Sequence, residues 1–121
     1  MRYACLIYFD PKVVFDDSPE SNAVLGEVGA SDRRLEKSGV LVSSEALTLP
    51  NEAITVRVRD GKMSATDGPF METKEALGGF MLIEARDLNE AVQIAATIPF
   101  AKLGSVEVRP LVDFSGPRPV L

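Results

Sequence analysis

The chain has 121 residues, a length typical of one domain built around one hydrophobic core. Apolar residues make up 45% and charged residues 26%, which are ordinary globular values and exclude a disordered or fibrous protein. The net charge of −5 opposes nucleic-acid binding, because a phosphate-binding surface must be basic. No apolar run approaches the length of a bilayer span, and the amino terminus lacks a basic segment before an apolar one, so we expect a cytoplasmic protein without a membrane partner.

The first predicted elements are a central strand and a long helix. Residues 3–9 are almost all apolar without polar alternation, so both faces of this strand should be covered. Ser18 is a typical N-cap and is followed by proline, which suits the first helical position. The spacing predicts a helix over 19–38 that ends at Gly39. Its predicted buried stripe contains Leu25, Val28, Asp32 and Leu35.

The middle of the chain predicts strands joined by a tight turn. Val40 opens a strand that runs irregularly towards Leu49. Ile54, Val56 and Val58 then alternate with polar residues, which predicts one buried and one solvated face. The Asp-Gly pair at 60–61 suits a two-residue hairpin turn, with the chain returning through residues 62–66.

The last third predicts a strand, a helix and another strand. Residues 80–85 form an apolar strand, and Asp87 begins a capping-box-like helix start. Residues 105–111 alternate apolar and charged side chains, and the proline-containing segment 112–121 is predicted to be an irregular tail. The predicted helix stripe contains Leu88, Ala91, Val92, Ala95 and Ile98.

This order of elements predicts an α+β fold. Two helices spaced in this way fit a ferredoxin-like sandwich, in which both helices pack on one face of a mostly antiparallel sheet. One helical layer leaves the other sheet face open, although strands 3–9 and 80–85 are apolar on both faces. A contiguous apolar face marks an association surface, so we expect a homodimer formed through the sheet.

The segment 67–80, which reads DGPFMETKEALGGF, resembles the signature of the DGPF or YCII-related family. The likeness continues through 81–85, 87–91 and 104–111 and so covers nearly the whole chain, as one domain over 1–121. The resemblance implies a dimeric ferredoxin-like fold with an extra hairpin inserted before the signature. Most relatives are uncharacterised, and many are encoded near alternative sigma factors, which implies a regulatory role as one alternative.

The chain contains no histidine and one cysteine, which limits the chemistry available to it. The resemblance implies that lyase-type relatives in the wider family rely on a histidine paired with an aspartate. That mechanism does not carry over to this chain, because the histidine is missing. The usual zinc ligand sets cannot be built, and we predict no metal and no cofactor. Cys5 alternates with Tyr3 and Ile7, which is typical of a buried core residue rather than a reactive thiol.

Asp67 and Glu72 are the candidate catalytic carboxylates. Asp67 is interpreted either as a base at the mouth of a cleft or, as we favour, as the cap of a short helical turn over 68–77. Glu72 and Glu75 are three residues apart and would share a face of that turn, where a ligand, a metal or Arg109 would relieve their repulsion.

The candidate ligand-binding residues come from the signature and from two strands. Arg109 either binds a carboxylate or phosphate or pairs with Glu107 or Glu84 within the sheet. Tyr3 and Tyr8 lie on opposite faces of the first strand by parity, so one of them is expected to line a pocket. The pair Gly78-Gly79 allows another group to approach the backbone closely, and that group is either a neighbouring strand or a ligand. The ligand-binding candidates are Arg109, Lys74, Tyr8, Gly78 and Gly79.

Three functional classes follow from these residues. The main prediction is a protein that binds a small organic molecule in a cleft near the DGPF loop. The first alternative is a lyase or isomerase that uses a carboxylate as acid or base and Arg109 or Lys74 as electrostatic stabiliser. The second alternative is a structural or protein-interaction module in which the signature only shapes the fold.

Overall fold

The computed structural model describes residues 1–118 and 120, and these contain six strands and three helices. Pro119 and Leu121, two residues of the predicted tail, lie outside the described residues. The helices are α1 (Pro11–Val14), α2 (Pro19–Lys37) and α3 (Leu88–Ala95). The strands are β1 (Arg2–Phe9), β2 (Leu41–Ala46), β3 (Ile54–Arg59), β4 (Lys62–Asp67), β5 (Ala76–Glu84) and β6 (Ser105–Pro110).

Four of the strands form an antiparallel sheet in the order β2-β5-β1-β6. β1 lies inside this sheet between β5 and β6, which confirms the predicted central strand. β5 begins at Ala76, earlier than the predicted start at Phe80, because its first residues already pair with Tyr8 and Phe9. The α+β prediction with a mostly antiparallel sheet is confirmed. No helix among the described residues is long and apolar enough to cross a membrane.

The ends of α2 follow the local sequence signals. The Ser18 hydroxyl oxygen accepts a hydrogen bond from the Ser21 N–H at 3.2 Å, as expected of an N-cap. After the last helical residue, Gly39 takes a positive φ of 77°, a conformation that side-chain-bearing residues rarely adopt.

The buried stripe of α2 is rotated from the predicted one. Leu35 is buried as predicted, but Leu25, Val28 and Asp32 are only half-buried. α1, a short helix that the sequence did not predict, packs beside the start of α2 and accounts for the burial of Ser21. The positions that α2 buries besides Leu35 are Ser21, Val24 and Ser31, and the Ser21 hydroxyl donates to the Val13 carbonyl oxygen at 2.7 Å.

α3 begins at Leu88, directly after the predicted cap residue Asp87. The Asp87 carboxylate accepts a hydrogen bond from the Glu90 N–H at 2.9 Å. Ala91 and Ala95 are buried in the helix, and Ile98 is buried just after it. The predicted stripe is too wide, because its other two members lie on the solvent-exposed flank of this short helix; they are Leu88 and Val92.

The core lies between the helices and one face of the sheet. Tyr3, Cys5, Ile7 and Phe9 alternate along β1 and are all buried on this side, where they meet the helices. Burial raises the pKa of the Cys5 thiol to about 11, so the thiol stays protonated near neutral pH. Cys5 is therefore a core residue, as predicted.

The opposite face of the main sheet carries no helix among the described residues. Its central side chains are apolar and half-buried. We call this surface the open sheet face; its central residues are Ala4, Leu6, Tyr8, Phe80 and Leu82. Glu107 and Arg109 of β6 lie at its border, opposite Leu6 and Ala4.

β3 and β4 form a separate two-stranded hairpin, which we call the arm (residues 54–67). The predicted Asp-Gly turn is confirmed, since Asp60 and Gly61 have φ values of 53° and 74°, both positive as in a type I′ turn. The prediction that one arm face is buried is wrong. Ile54, Val56 and Val58 are about 60% exposed, because the arm does not join the main sheet.

Gly78 is the position where the sheet most needs a glycine. A Cβ atom placed there would collide with the Phe9 ring. We expect Gly78→Ala to lower the free energy of unfolding by about 1–3 kcal/mol, the usual cost of overpacking a core. Denaturant melts measure this, with Gly26→Ala as control: a Cβ there meets no atom within 4 Å, and alanine in a helix should add about 0.5–1 kcal/mol. Equal effects of the two substitutions would contradict the packing role of Gly78.

Candidate functional site

The signature loop between β4 and β5 is an irregular corner fixed to the base of the arm. Gly68 has a φ of 102°, its N–H donates to the Ala53 carbonyl oxygen at 2.7 Å, and its own carbonyl oxygen accepts from the Thr55 hydroxyl at 2.9 Å. Residues 68–75 contain no helix. The prediction that Asp67 caps a helical turn is therefore wrong: Asp67 ends β4 and pairs with Ile54 instead.

Asp67 and Glu72 line a shallow groove beside the signature loop, together with Asn51 and Thr73. The groove has a volume of about 480 Å³ and is widely open to solvent. Glu72 and Glu75 do not share a helix face, contrary to prediction, because the turn is irregular. Glu75 instead reaches β6, where its carboxylate accepts a hydrogen bond from the Ser105 hydroxyl at 2.8 Å.

Tyr8 lines a neighbouring groove of about 540 Å³ on the other side of the signature loop. Tyr8 belongs to the open sheet face, whereas Tyr3 is in the core, as their parity predicted. The remaining wall is mostly apolar and includes Leu47, Leu49, Phe70, Met71 and Leu77. This groove holds no carboxylate and so differs in character from the groove at Asp67.

The two cationic candidates lie elsewhere. Arg109 is exposed, and its Nε lies 3.7 Å from a carboxylate oxygen of Glu107, which is one of the two arrangements that the sequence left open. Lys74 is exposed on the signature loop. Neither residue lines the grooves at Asp67 and Tyr8. The structure therefore brings Asp67 and Glu72 together but separates them from Arg109, Tyr8 and Lys74.

A third and more enclosed cavity lies between α2 and the core face of the sheet, and we call it the α2 cavity. Its volume is about 180 Å³, and Gly78 and Gly79 of the signature form part of its floor. Phe9 stacks on Phe100 with ring centroids 5.0 Å apart and meets Phe15 edge-on at 6.0 Å, so that three aromatic rings form one wall.

Asp32 is the acidic residue that α2 contributes to this apolar cavity, where it lies across from the sheet residue Ser44. Burial raises the pKa of the Asp32 carboxyl, and the adjacent Arg33 guanidinium offsets part of this effect. The register places Ser44 opposite Met81 on this face of the sheet. Asp32 belongs to the stripe that the helical spacing predicts, but it was not among the predicted site residues. An acidic residue within an apolar stripe was the signal that the sequence offered.

The α2 cavity has the chemical character of a site for a small apolar molecule with a polar group. Apolar walls favour a hydrophobic ring, and a partly desolvated carboxylate accepts a hydrogen bond from a hydroxyl or, when protonated, donates one. Among the described residues, no cluster of three or more Asp, Glu or Cys side chains is arranged to hold a metal ion.

The raised pKa of Asp32 predicts how the free energy of unfolding changes with pH. The folded state binds this proton more tightly than the unfolded state, so Asp32 lowers stability as the pH rises from the ordinary aspartate value of about 3.9 through the raised one. We expect Asp32→Asn to be more stable than the wild type at pH 7 and equally stable below about pH 3. Urea melts of both proteins at the two pH values measure this. A variant that is less stable at pH 7 would show that the charged carboxylate makes a stabilising contact.

Comparison with known proteins agrees with this architecture. The family model for the YCII-related domain matches residues 1–115. An uncharacterised protein of Rhizobium meliloti (strain 1021) is 39% identical over 114 residues, which cover 92% of each chain. The solved 5-chloro-2-hydroxyhydroquinone dehydrochlorinase of Burkholderia phenoliruptrix AC1100, in complex with 2,5-dihydroxybenzoquinone, has a similar fold. It superposes with a TM-score of 0.53 at 15% identity, over 95% of this chain and 97% of the enzyme. The chain therefore belongs to the YCII-related family.

Proposed function

We propose that the protein binds a small organic molecule with a single ring in the α2 cavity. The observation that carries this proposal is a partly enclosed apolar cavity of about 180 Å³ that holds one half-buried carboxylate, Asp32. An engineered apolar cavity of about 150 Å³ is large enough for benzene. The α2 cavity therefore suits one six-membered ring with a few small substituents.

Asp32 determines which substituents are favoured. A ring hydroxyl that donates to Asp32 satisfies a carboxylate that burial has partly removed from water. The ring itself would lie against the aromatic wall formed by Phe9 and Phe100. A hydroxylated aromatic molecule or quinone-like ring thus matches the cavity better than a phosphate or a sugar does.

The ligand of the structural neighbour supports the same class. The dehydrochlorinase was solved with 2,5-dihydroxybenzoquinone, a hydroxylated single ring, and it shares the fold of this chain. Gly78 and Gly79 also connect the proposed site to the signature, since both belong to the cavity lining. The proposed site thus lies at the end of the signature, on the other side of the sheet from the Tyr8 groove.

Acid–base catalysis on such a ring is the second candidate function. The raised pKa of Asp32 favours it, because a carboxyl with a pKa nearer neutrality exchanges protons more effectively at physiological pH. Asp32 would then serve as the base that the sequence assigned to Asp67 or Glu72. Those two residues line the shallow groove, where water has free access.

We also propose that the protein is a homodimer through the open sheet face. Its apolar centre faces solvent in one chain, and association would remove that area from water. The cytoplasmic location and the absence of nucleic-acid and membrane partners remain predictions from the sequence.

Ligand binding tests the proposal directly. We expect hydroquinone and catechol to bind the wild type, and Asp32→Asn to weaken binding by about tenfold, the effect of one charge-assisted hydrogen bond. Val28→Phe should abolish binding because the larger side chain fills the cavity. Isothermal titration calorimetry measures all of these affinities.

Glu72→Gln is the matched control, since it neutralises one carboxylate in the signature groove and should leave the affinity unchanged. The opposite pattern, in which Glu72→Gln weakens binding and Asp32→Asn does not, would place the ligand beside the signature loop and contradict the proposal.

A further inference from the structure

The α2 cavity contains a second polar side chain besides Asp32. Ser44 of β2 lines the cavity and lies opposite Met81 in the strand pairing. Directly paired residues share one face of a sheet, and Met81 is buried in the core, so the Ser44 hydroxyl is on the helix-covered face. Glu45 also borders the cavity but pairs with Phe80 of the open sheet face, so its side chain lies on the other side of the sheet. The polar side chains directed at the cavity are therefore those of Asp32 and Ser44.

Neither of these polar groups has a protein partner in the part of the chain that the structure describes. The Asp32 carboxylate and the Ser44 hydroxyl form no hydrogen bond with another residue, and Asp32 forms no ion pair. Both residues are half-buried. An apolar ligand would cover these groups without giving them partners, whereas a ligand that forms a hydrogen bond with each would satisfy both.

The two groups approach the cavity from opposite layers of the fold. Asp32 is on α2, which packs over the sheet, and Ser44 is on β2 within the sheet. A ring that fills the space between these layers presents one edge to the helix and the opposite edge to the sheet. Substituents on opposite edges of a six-membered ring are para to each other.

We infer that the α2 cavity selects a six-membered ring with oxygen atoms at two para positions, one bound by Asp32 and the other by Ser44. This inference rests on the ligand site proposed above, and it names the ligand class and a second specificity-determining residue. An ionised carboxylate only accepts a hydrogen bond, whereas a hydroxyl donates or accepts one. The ligand therefore carries a hydroxyl at the Asp32 end and either a hydroxyl or a carbonyl oxygen at the Ser44 end.

Two phenols of the same shape test the second oxygen atom. Hydroquinone and p-cresol differ only by the exchange of one hydroxyl for a methyl group, and isothermal titration calorimetry gives the ratio of their affinities. We expect Ser44→Ala to lower the affinity for hydroquinone relative to p-cresol by about fivefold, because the hydroxyl loses its hydrogen-bond partner and the methyl group loses none. Binding of p-cresol to Ser44→Ala verifies that the variant folds and keeps the cavity.

Ser43→Ala is the matched control, since it removes the same hydroxyl group from the neighbouring residue. Ser43 pairs with Leu82 of the open sheet face, so its side chain points away from the cavity. The affinity ratio should stay within about twofold of the wild-type ratio, as expected of a substitution outside the site. Resorcinol and m-cresol form a second pair with the same exchange at the meta position. Their ratio should respond less to Ser44→Ala than the ratio of the para pair does.

The outcomes distinguish this inference from the proposed ligand site. A wild-type protein that binds none of the four phenols overturns both. Binding that Asp32→Asn weakens, with an affinity ratio that Ser44→Ala leaves unchanged, overturns the second contact alone and leaves the site in place. A ratio that falls equally in Ser43→Ala, or a meta pair that responds as strongly as the para pair, also overturns the inference.

Discussion

Phe9 packs across β5 at Gly78, and this contact determines the shape of the α2 cavity. Because Gly78 has no side chain, the Phe9 ring occupies the space that a Cβ atom would fill, and the ring stacks on Phe100. Both rings line the α2 cavity, which has a volume of about 180 Å³. The signature residue Gly78 therefore has a structural role at the edge of the α2 cavity.

The two faces of the main sheet have different roles because only one face has a helical layer. The helix-covered face supplies the core and, at its open end, a cavity with one acidic group. The uncovered face supplies an apolar surface with charged residues at its border. Strand β1 is apolar on both sides: its buried residues meet the helical layer, and its other residues contribute to the open sheet face.

Local signals in the sequence predicted local structure well. The Asp-Gly turn of the arm, the Ser18 cap and the Asp87 cap depend on residues within a few positions of each other, and the structure confirms all three. Asp67 was misread because its neighbours Gly68 and Pro69 allow several turns, and distant contacts with Ala53 and Thr55 select among them. Asp32 was overlooked because its cavity is assembled from segments far apart in sequence, which periodicity does not reveal.

Three methionines report on the three surfaces in this account: Met81 lines the α2 cavity, Met71 the grooves beside the signature loop, and Met63 the apolar face of the arm. Carbon-13 labelling of methionine methyl groups and titration with hydroquinone therefore test the central claim in one NMR experiment. Binding in the α2 cavity predicts that the Met81 methyl signal shifts with ligand concentration while the Met71 and Met63 signals stay in place. A shift of the Met71 signal with an unchanged Met81 signal would contradict the account and locate the ligand at the signature loop.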